Sequence, residues 1–250
     1  MDKYGLGWAQ IFLGNPRSYN PGDPTIERVK NTNLDLNFVV HSPYIINIVN
    51  EKKDFYNRSI ECIVEALDIC HDLNIGSYVT HLGSVESKTS SKEVVARLKK
   101  SCSEILARTA AETTTKLLLE TSPGSKSETR IGRLEELIAV AQDFSSRVGV
   151  CLDTEHAYAN GLDLTKLDLE EKSSEIEVVH LNAIPEDVGL NSHRDKHGKT
   201  RLVNTKETVR KSLQELIQFF AERDVPLILE RSGKEIINSD LDYLGQLLNC

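Results

Sequence analysis

The chain has 250 residues, of which 39% are hydrophobic and 27% charged, and its formal net charge is −8. This is the composition of a globular enzyme, and it excludes disordered, fibrous and disulfide-rich proteins. The sequence has no run of 18 apolar residues and no basic segment followed by an apolar leader. We therefore expect a soluble intracellular protein, in the cytoplasm or the nucleus, with no membrane partner. The odd number of cysteines, without a CxxC spacing, predicts reduced thiols.

Seven short apolar runs, rich in Val, Ile and Leu, predict buried parallel strands. They lie at Trp8–Leu13, Phe38–Val40, Tyr78–Thr80, Leu117–Leu119, Val148–Leu152, Val178–Val179 and Leu227–Leu229. The segments between them carry apolar residues three and four positions apart, which predicts one-sided helices. No Pro/Gly/Ser-rich linker divides this βα alternation, so we expect an α/β fold with a single domain over residues 1–250. The length also suits one α/β barrel.

Acidic or histidine side chains follow six of the seven apolar runs, at the carboxyl end of each predicted strand. They are His41, His81, Glu120, Asp153, His180 and Glu230. Because parallel βα sheets gather these ends into one crevice, we expect the six side chains to converge. Three carboxylates crowded there would repel one another and would be costly to desolvate, and divalent cations are the usual remedy. The mixture of nitrogen and oxygen donors favours Zn²⁺ or Mn²⁺.

Two loops add donors of the same types. His156 comes three residues after Asp153, and Asp195 and His197 lie two apart in the loop after His180. A D-x-H pair is a weak signal by itself, but its position after a strand that carries a candidate ligand strengthens it. The alternative for these loop residues is an ordinary hydrogen bond, and the alternative for the strand-end carboxylates is a buried ion pair with Lys or Arg.

Seven motifs resemble, in order and spacing, those of the endonuclease IV family of apurinic/apyrimidinic endonucleases. They are HSPYIINI (41–48), HLGS (81–84), LLLETSPG (117–124), CLDTEHAYANGLDL (151–164), VVHLNAIP (178–185), SHRDKH (192–197) and LILERSG (227–233). The resemblance runs from about Trp8 to the C-terminus, and it implies a TIM-barrel-type (β/α) fold. The family's first strand and helix have no counterpart before Trp8, so we expect an open seam between the strands at Trp8–Leu13 and Leu227–Leu229, narrowed by direct contact or filled by a partner chain.

All nine metal-ligand positions of that family carry a residue of the right type here. The resemblance implies three zinc ions per chain, with Mn²⁺ as an alternative at one position. His41, His81 and Glu120 would hold the first ion; Glu120, Asp153, His180 and Glu230 the second; His156, Asp195 and His197 the third. Glu120, as the bridge between two ions, would be the catalytic carboxylate.

The resemblance also implies a substrate. Tyr44 and Ile45 match residues with which the family wedges into stacked DNA bases, and Arg17 matches their partner from the preceding loop. The positive charges of Arg194 and Lys196 in an otherwise acidic chain indicate that these residues bind DNA phosphates. The implied activity is hydrolysis of the phosphodiester bond 5′ to abasic sites in double-stranded DNA, in base excision repair, by a monomer.

Two other functions stay open at this stage. A single-metal sugar isomerase or epimerase of the xylose-isomerase-like barrels would need only Glu120, Asp153, His180 and Glu230. The other predicted ligands would then have no function as a set; they are His41, His81, His156, Asp195 and His197. A DNA-damage binder without catalysis is a third interpretation, and the full ligand set argues against it. The net charge of −8 counts against a nucleic-acid partner, but bound cations would offset part of it.

Overall fold

Seven parallel strands form one sheet in which every strand pairs with its neighbours in chain order. The computed structural model of the chain describes residues 6–32, 35–85, 89–124, 131–196 and 198–248. The strands are β1 (Trp8–Ile11), β2 (Asn37–His41), β3 (Ser77–Thr80), β4 (Lys116–Glu120), β5 (Val148–Asp153), β6 (Ile176–His180) and β7 (Leu227–Ile228). All seven predicted strands are confirmed, although β7 has only two residues.

Helices follow the strands, as the apolar periodicity predicts. They are α1 (Asp23–Lys30), α2 (Lys53–Asp72), α3 (Ser91–Arg108), α4 (Leu134–Ala141), α5 (Thr154–Ala159), α6 (Leu169–Lys172), α7 (Glu207–Ala221) and α8 (Lys234–Leu248), with 3-10 turns at Gln142–Arg147, Leu164–Lys166, Ser173–Glu175 and Leu202–Asn204. Helix α3 begins with a reciprocal capping box between Ser90 and Glu93, which satisfies backbone donors at its first turn. None of the described helices is long and apolar enough to cross a membrane.

One apolar side chain from each of β2 to β7 forms a separate buried cluster between the strands. The six residues are Val39, Val79, Leu118, Cys151, Val178 and Ile228. Because successive side chains of a strand alternate between its two faces, the residue two positions further on points the same way. Those positions are the six predicted strand-end donors, from His41 to Glu230. The strand period therefore places the donors as the next layer, toward the carboxyl ends of the strands.

The barrel is nearly closed, with a seam between β1 and β7. The two strands lie side by side, but the ordered ladder of the sheet runs from β1 to β7 without joining them in the part of the chain that the structure describes. A side chain crosses the seam instead, because Gln10 Nε2 donates to Glu230 Oε1 at 2.9 Å. The expected direct contact between these two strands is thus present.

Candidate metal centre

Four of the predicted ligands are the last residues of their strands. His41 ends β2, Glu120 ends β4, Asp153 ends β5 and His180 ends β6, and all four are at most 2% exposed. His81 directly follows β3, and Glu230 comes two residues after β7. The structure therefore brings together side chains that are far apart in the sequence.

Glu120 lies at the middle of this group, because its carboxylate reaches four histidines. Oε2 is 3.2 Å from His41 Nε2 and 3.1 Å from His81 Nδ1, whereas Oε1 is 3.2 Å from His180 Nδ1 and 3.4 Å from His156 Nδ1. The two oxygens thus face histidines from opposite sides of the barrel. A carboxylate with this placement can bridge two cations.

Two overlapping sets of side chains have the geometry of metal ligands. His41, Glu120 and His180 form one set, and Glu120, Asp153, His180 and Glu230 form the other, with donor atoms within 4.8 Å of one another in each set. Imidazole nitrogens and carboxylate oxygens are the donors that Zn²⁺ takes in catalytic sites, and their burial leaves their charges without water to solvate them. The donor set therefore fits a divalent metal.

The two carboxylate oxygens of Asp153 have different partners: one caps a helix and the other faces the candidate ligands. Oδ1 accepts the backbone N–H groups of Glu155 and His156, at 2.9 and 2.8 Å, and so caps the first turn of α5. Oδ2 lies 3.6 Å from His156 Nδ1 and accepts from Asn182 Nδ2 at 2.7 Å. The cap fixes the orientation of the carboxylate, which leaves Oδ2 facing the other donors.

The structure describes two of the three residues that the family resemblance implies for the third ion, His156 and Asp195. His156 Nε2 lies 3.6 Å from Asp195 Oδ2, which stands on a half-exposed loop. The opposite ring nitrogen, Nδ1, is 3.1 Å from the backbone oxygen of Thr121. His197 lies outside the described residues. The pair of His156 and Asp195 is therefore brought together beside Glu120.

Burial and the charges of neighbouring groups shift the pKa values of this centre in opposite directions. Burial alone would raise the pKa of Glu120, but the neighbouring imidazoles of His81 and His180 outweigh it and hold that pKa well below its usual range. Burial raises the pKa of Asp153, and burial lowers the pKa of His81 to about 4. The opposite shifts of two carboxylates in one cluster mark an electrostatic conflict, which a bound cation would relieve.

Four polar residues that are not among the predicted site residues contact the ligands or their neighbours. They are Gln10, Glu155, Asn182 and Arg231. The buried Glu155 accepts the backbone N–H of Lys196 at 2.9 Å and holds the loop of Asp195 against α5. The sequence pattern could have indicated Asn182, since it comes two residues after His180 and therefore continues the same face of the strand. It could also have indicated Gln10, which is a polar residue in the apolar run of β1.

One of the predicted DNA-contacting residues, Tyr44, lines a cavity beside the centre. A cavity of about 590 Å³ is lined by Tyr44, His81, Asp195, Glu230 and Arg231, among others. Tyr44 is 60% exposed and Ile45 37%. The backbone N–H of Tyr44 donates to the Pro16 oxygen at 2.8 Å, which brings the exposed Arg17 next to it. In the other loop Arg194 is exposed, whereas the Lys196 ammonium pairs with Asp187.

Comparison with known proteins agrees with this arrangement. Residues 1–200 match the family described as "Xylose isomerase-like TIM barrel". A protein named "Probable endonuclease 4" from a Sulfurihydrogenibium species is 30% identical over 208 residues, which are 75% of this chain and 72% of that protein. The crystal structure of endonuclease IV from Thermus thermophilus superposes with a TM-score of 0.79 at 25% identity, covering 99% of this chain and 91% of the other.

A third neighbour resembles the chain in fold alone. The crystal structure of a D-tagatose 3-epimerase-like protein superposes with a TM-score of 0.74 at 18% identity, covering 99% of this chain and 91% of that one. The barrel is therefore shared with an epimerase-like protein, whereas the likeness in sequence is higher with the endonuclease 4 relative. The chain belongs to the endonuclease IV family of the xylose isomerase-like TIM barrels.

Proposed function

We propose that this chain is a zinc-dependent apurinic/apyrimidinic endonuclease, which hydrolyses the phosphodiester bond on the 5′ side of abasic sites in double-stranded DNA and leaves a 3′-hydroxyl. The observation that carries the proposal is the position of Glu120, whose two carboxylate oxygens reach histidines on both sides of the barrel. The names of the relatives, endonuclease 4 and endonuclease IV, support the same activity. In this proposal residues 1–250 act as one domain.

The proposed ligands would hold three ions, of which the first two would share Glu120. His41 and His81 would bind together with Glu120 Oε2, which lies 3.2 and 3.1 Å from them. Glu120 Oε1 faces His180, beside Asp153 and Glu230. His156 and Asp195, with His197 from the family pattern, would hold the third ion. Bound zinc would supply the Lewis acidity that activates water and offsets charge on the scissile phosphate.

The residues of the chain itself would bind and orient the DNA. The exposed ring of Tyr44 lines the cavity beside His81, where it could stack on a base next to the abasic gap, and the partly exposed Ile45 follows it in the chain. Arg17 and Arg194 are exposed and would bind phosphates. Lys196 would contribute if its pairing with Asp187 opened on binding. These contacts would hold the scissile phosphate over the proposed metal site.

The second candidate is a single-metal sugar isomerase or epimerase. Its metal would need only the set formed by Glu120, Asp153, His180 and Glu230, and the barrel is shared with an epimerase-like protein. This function leaves the contacts of His41, His81 and His156 with Glu120 unexplained. Those three histidines therefore favour the nuclease.

The test is cleavage of a 5′-labelled duplex with one synthetic abasic site. We expect a single product ending in a 3′-hydroxyl, loss of cleavage in chelator, recovery with Zn²⁺, and three metal ions per purified chain by mass spectrometry. An undamaged duplex of the same sequence is the control. One metal ion per chain, together with epimerisation of ketohexoses and no cleavage, would establish the alternative.

A further inference from the structure

Gln10 is the polar member of an otherwise apolar layer of strand residues. It is the register partner of Val39 in the pairing of β1 with β2, and Val39 belongs to the cluster that takes one apolar residue from each of β2 to β7. Register partners of a parallel sheet point to the same side. The side chain of Gln10 therefore points into the barrel, where it lines the cavity of the metal centre.

The amide of Gln10 contacts two proposed ligands at once. Its Oε1 lies 2.7 Å from His180 Nε2, and its Nε2 donates to Glu230 Oε1 at 2.9 Å. A glutamine amide carries one acceptor and one donor group, so it can satisfy both partners only in this orientation. A carboxylate in its place could not donate to Glu230.

The contact with His180 determines which ring nitrogen is available. An amide oxygen can only accept, so His180 Nε2 carries the proton in this hydrogen bond. Nδ1 faces Glu120 Oε1 at 3.2 Å and Glu230 Oε2 at 3.4 Å, so it is the nitrogen whose lone pair becomes available when a cation takes the place of its proton. Hydrogen bonds of this kind, to the ring nitrogen remote from the metal, fix the tautomer of ligating histidines.

The hydrogen bond from Gln10 to Glu230 holds a carboxylate that lies beyond the end of the short strand β7. Backbone pairing of β7 ends at Ile228, two residues before Glu230, so the sheet does not hold this carboxylate in position. The bond from Gln10 engages Oε1 and leaves Oε2 toward His180 and toward Asn182 Nδ2, which is 3.4 Å away. One residue of β1, the strand without a ligand, thus orients ligands from the ends of β6 and β7.

We infer that Gln10 is a positioning residue of the metal centre: across the seam of the barrel it holds His180 as the tautomer that offers Nδ1 and keeps Glu230 Oε2 directed at the same ion. The inference rests on the proposed function in that it takes His180 and Glu230 as zinc ligands. It assigns a role to β1, which carries no ligand in the family pattern.

The test compares Gln10→Met, which keeps the length of the side chain and removes both hydrogen bonds, with Gln214→Met. Gln214 is a matched control, because it is partly buried and donates one hydrogen bond to Tyr243 Oη away from the cavity. Each protein is dialysed against graded chelator, and zinc per chain is measured by mass spectrometry. We expect Gln10→Met to release one zinc at a chelator concentration about 10–100-fold lower than wild type, and Gln214→Met to match wild type.

Two further readouts separate positioning from general stability. In the zinc-loaded protein, ¹⁵N NMR should show a His180 Nε2 proton that exchanges slowly with solvent in wild type and faster in Gln10→Met, while the melting temperatures of the two metal-free Met variants stay similar. For abasic DNA, kcat should fall and KM stay unchanged. Gln10→Glu keeps the acceptor but repels Glu230, so it should also release zinc at a lower chelator concentration than wild type. This variant tests the inference if Gln10→Met folds poorly.

The outcomes also separate this inference from the proposed function. Zinc retention equal to wild type in both Gln10 variants overturns the inference even if abasic DNA is cleaved. Early zinc release by the variants, with no cleavage by the wild-type chain, upholds the inference and overturns the proposed function. A wild-type chain that holds no zinc overturns both.

Discussion

Arg231 and Asp240 form an ion pair in which neither side chain is exposed to solvent, with Arg231 Nε 2.7 Å from Asp240 Oδ2. Asp240 lies on α8 and its Oδ1 also accepts the backbone N–H of Leu202 at 2.7 Å. Arg231 follows Glu230 in the chain, and its Nη1 donates to Asn182 Oδ1 at 2.5 Å. Since Asn182 in turn donates to Asp153, a continuous polar network connects the outer helix with the metal centre.

Replacement of Asp240 by Asn should therefore lower the free energy of unfolding by about 3–5 kcal/mol, because it leaves the buried Arg231 guanidinium without its counter-charge. Urea denaturation of the metal-free protein measures this loss. Glu235→Gln on the same helix is the control, since its partner is the surface residue Arg201, and it should cost less than about 1 kcal/mol. Equal costs for the two variants would mean that the buried pair contributes no more than a surface pair.

The Glu120→Gln variant tests the proposed bridge between two ions. It keeps the size of the side chain and removes the charge that four histidines surround, so kcat on an abasic duplex should fall by several orders of magnitude. Binding of the same duplex, measured by fluorescence anisotropy, should largely survive. Glu235→Gln again serves as the matched control. A Glu120→Gln enzyme with near-normal kcat would remove Glu120 from the chemistry.

The Tyr44→Ala variant tests recognition of the damaged DNA. Tyr44 is exposed and contacts Phe12 edge to face, with ring centroids 5.4 Å apart. Its removal should weaken binding to an abasic duplex by roughly 1–3 kcal/mol through lost stacking, and zinc per chain should not change. Tyr44→Phe keeps the ring and should bind as wild type does. If the Ala variant binds normally, the wedge role is wrong.

The titration of His81 gives a prediction about pH. Burial lowers the pKa of His81 from its usual value of 6.5 to about 4, against the opposing charge of Glu120 and together with the imidazoles of His41 and His156. Between these values the unfolded chain binds a proton at His81 that the folded chain does not, so the contribution of His81 to the free energy of unfolding of the metal-free protein should fall as the pH drops from 6.5 to 4. A His81→Gln variant should lack this contribution.

NMR of the same chelator-treated protein gives the direct measurement. The His81 imidazole should stay neutral at pH 5, which is the form that binds a metal ion. A midpoint for His81 near its usual value would contradict the burial argument.

Much of the centre could be predicted from the sequence because the period of a strand is two residues. Each of the six strand-end donors stands two positions after an interior apolar residue of its strand, so the apolar runs locate both the layer and these ligands. The seven strands could be predicted for the same reason. The strand ends are not fixed by this period: the last apolar run extends to Leu229, whereas backbone pairing stops at Ile228.

The partners of the ligands could not be predicted in this way. Gln10 meets His180 and Glu230 only because the seam brings β1 next to the other edge of the sheet, and a contact between residues that far apart leaves no periodic trace in one sequence. The network through Arg231 and Asp240 depends likewise on how α8 packs under the strand end. Glu155 lies in a motif, but its bond to Lys196 N–H depends on the path of a loop.

The order of the ligands along the chain has a consequence for biosynthesis. The donors are spread over successive strands from position 41 to position 230, and a ribosome delivers the N-terminal strands first. The set of His41, Glu120 and His180 is complete once β6 has docked, whereas the set that includes Glu230 has to wait for β7. In the proposed metal-bound protein, a nascent chain would therefore be able to bind an ion through the set of His41, Glu120 and His180 before the set that includes Glu230 is complete.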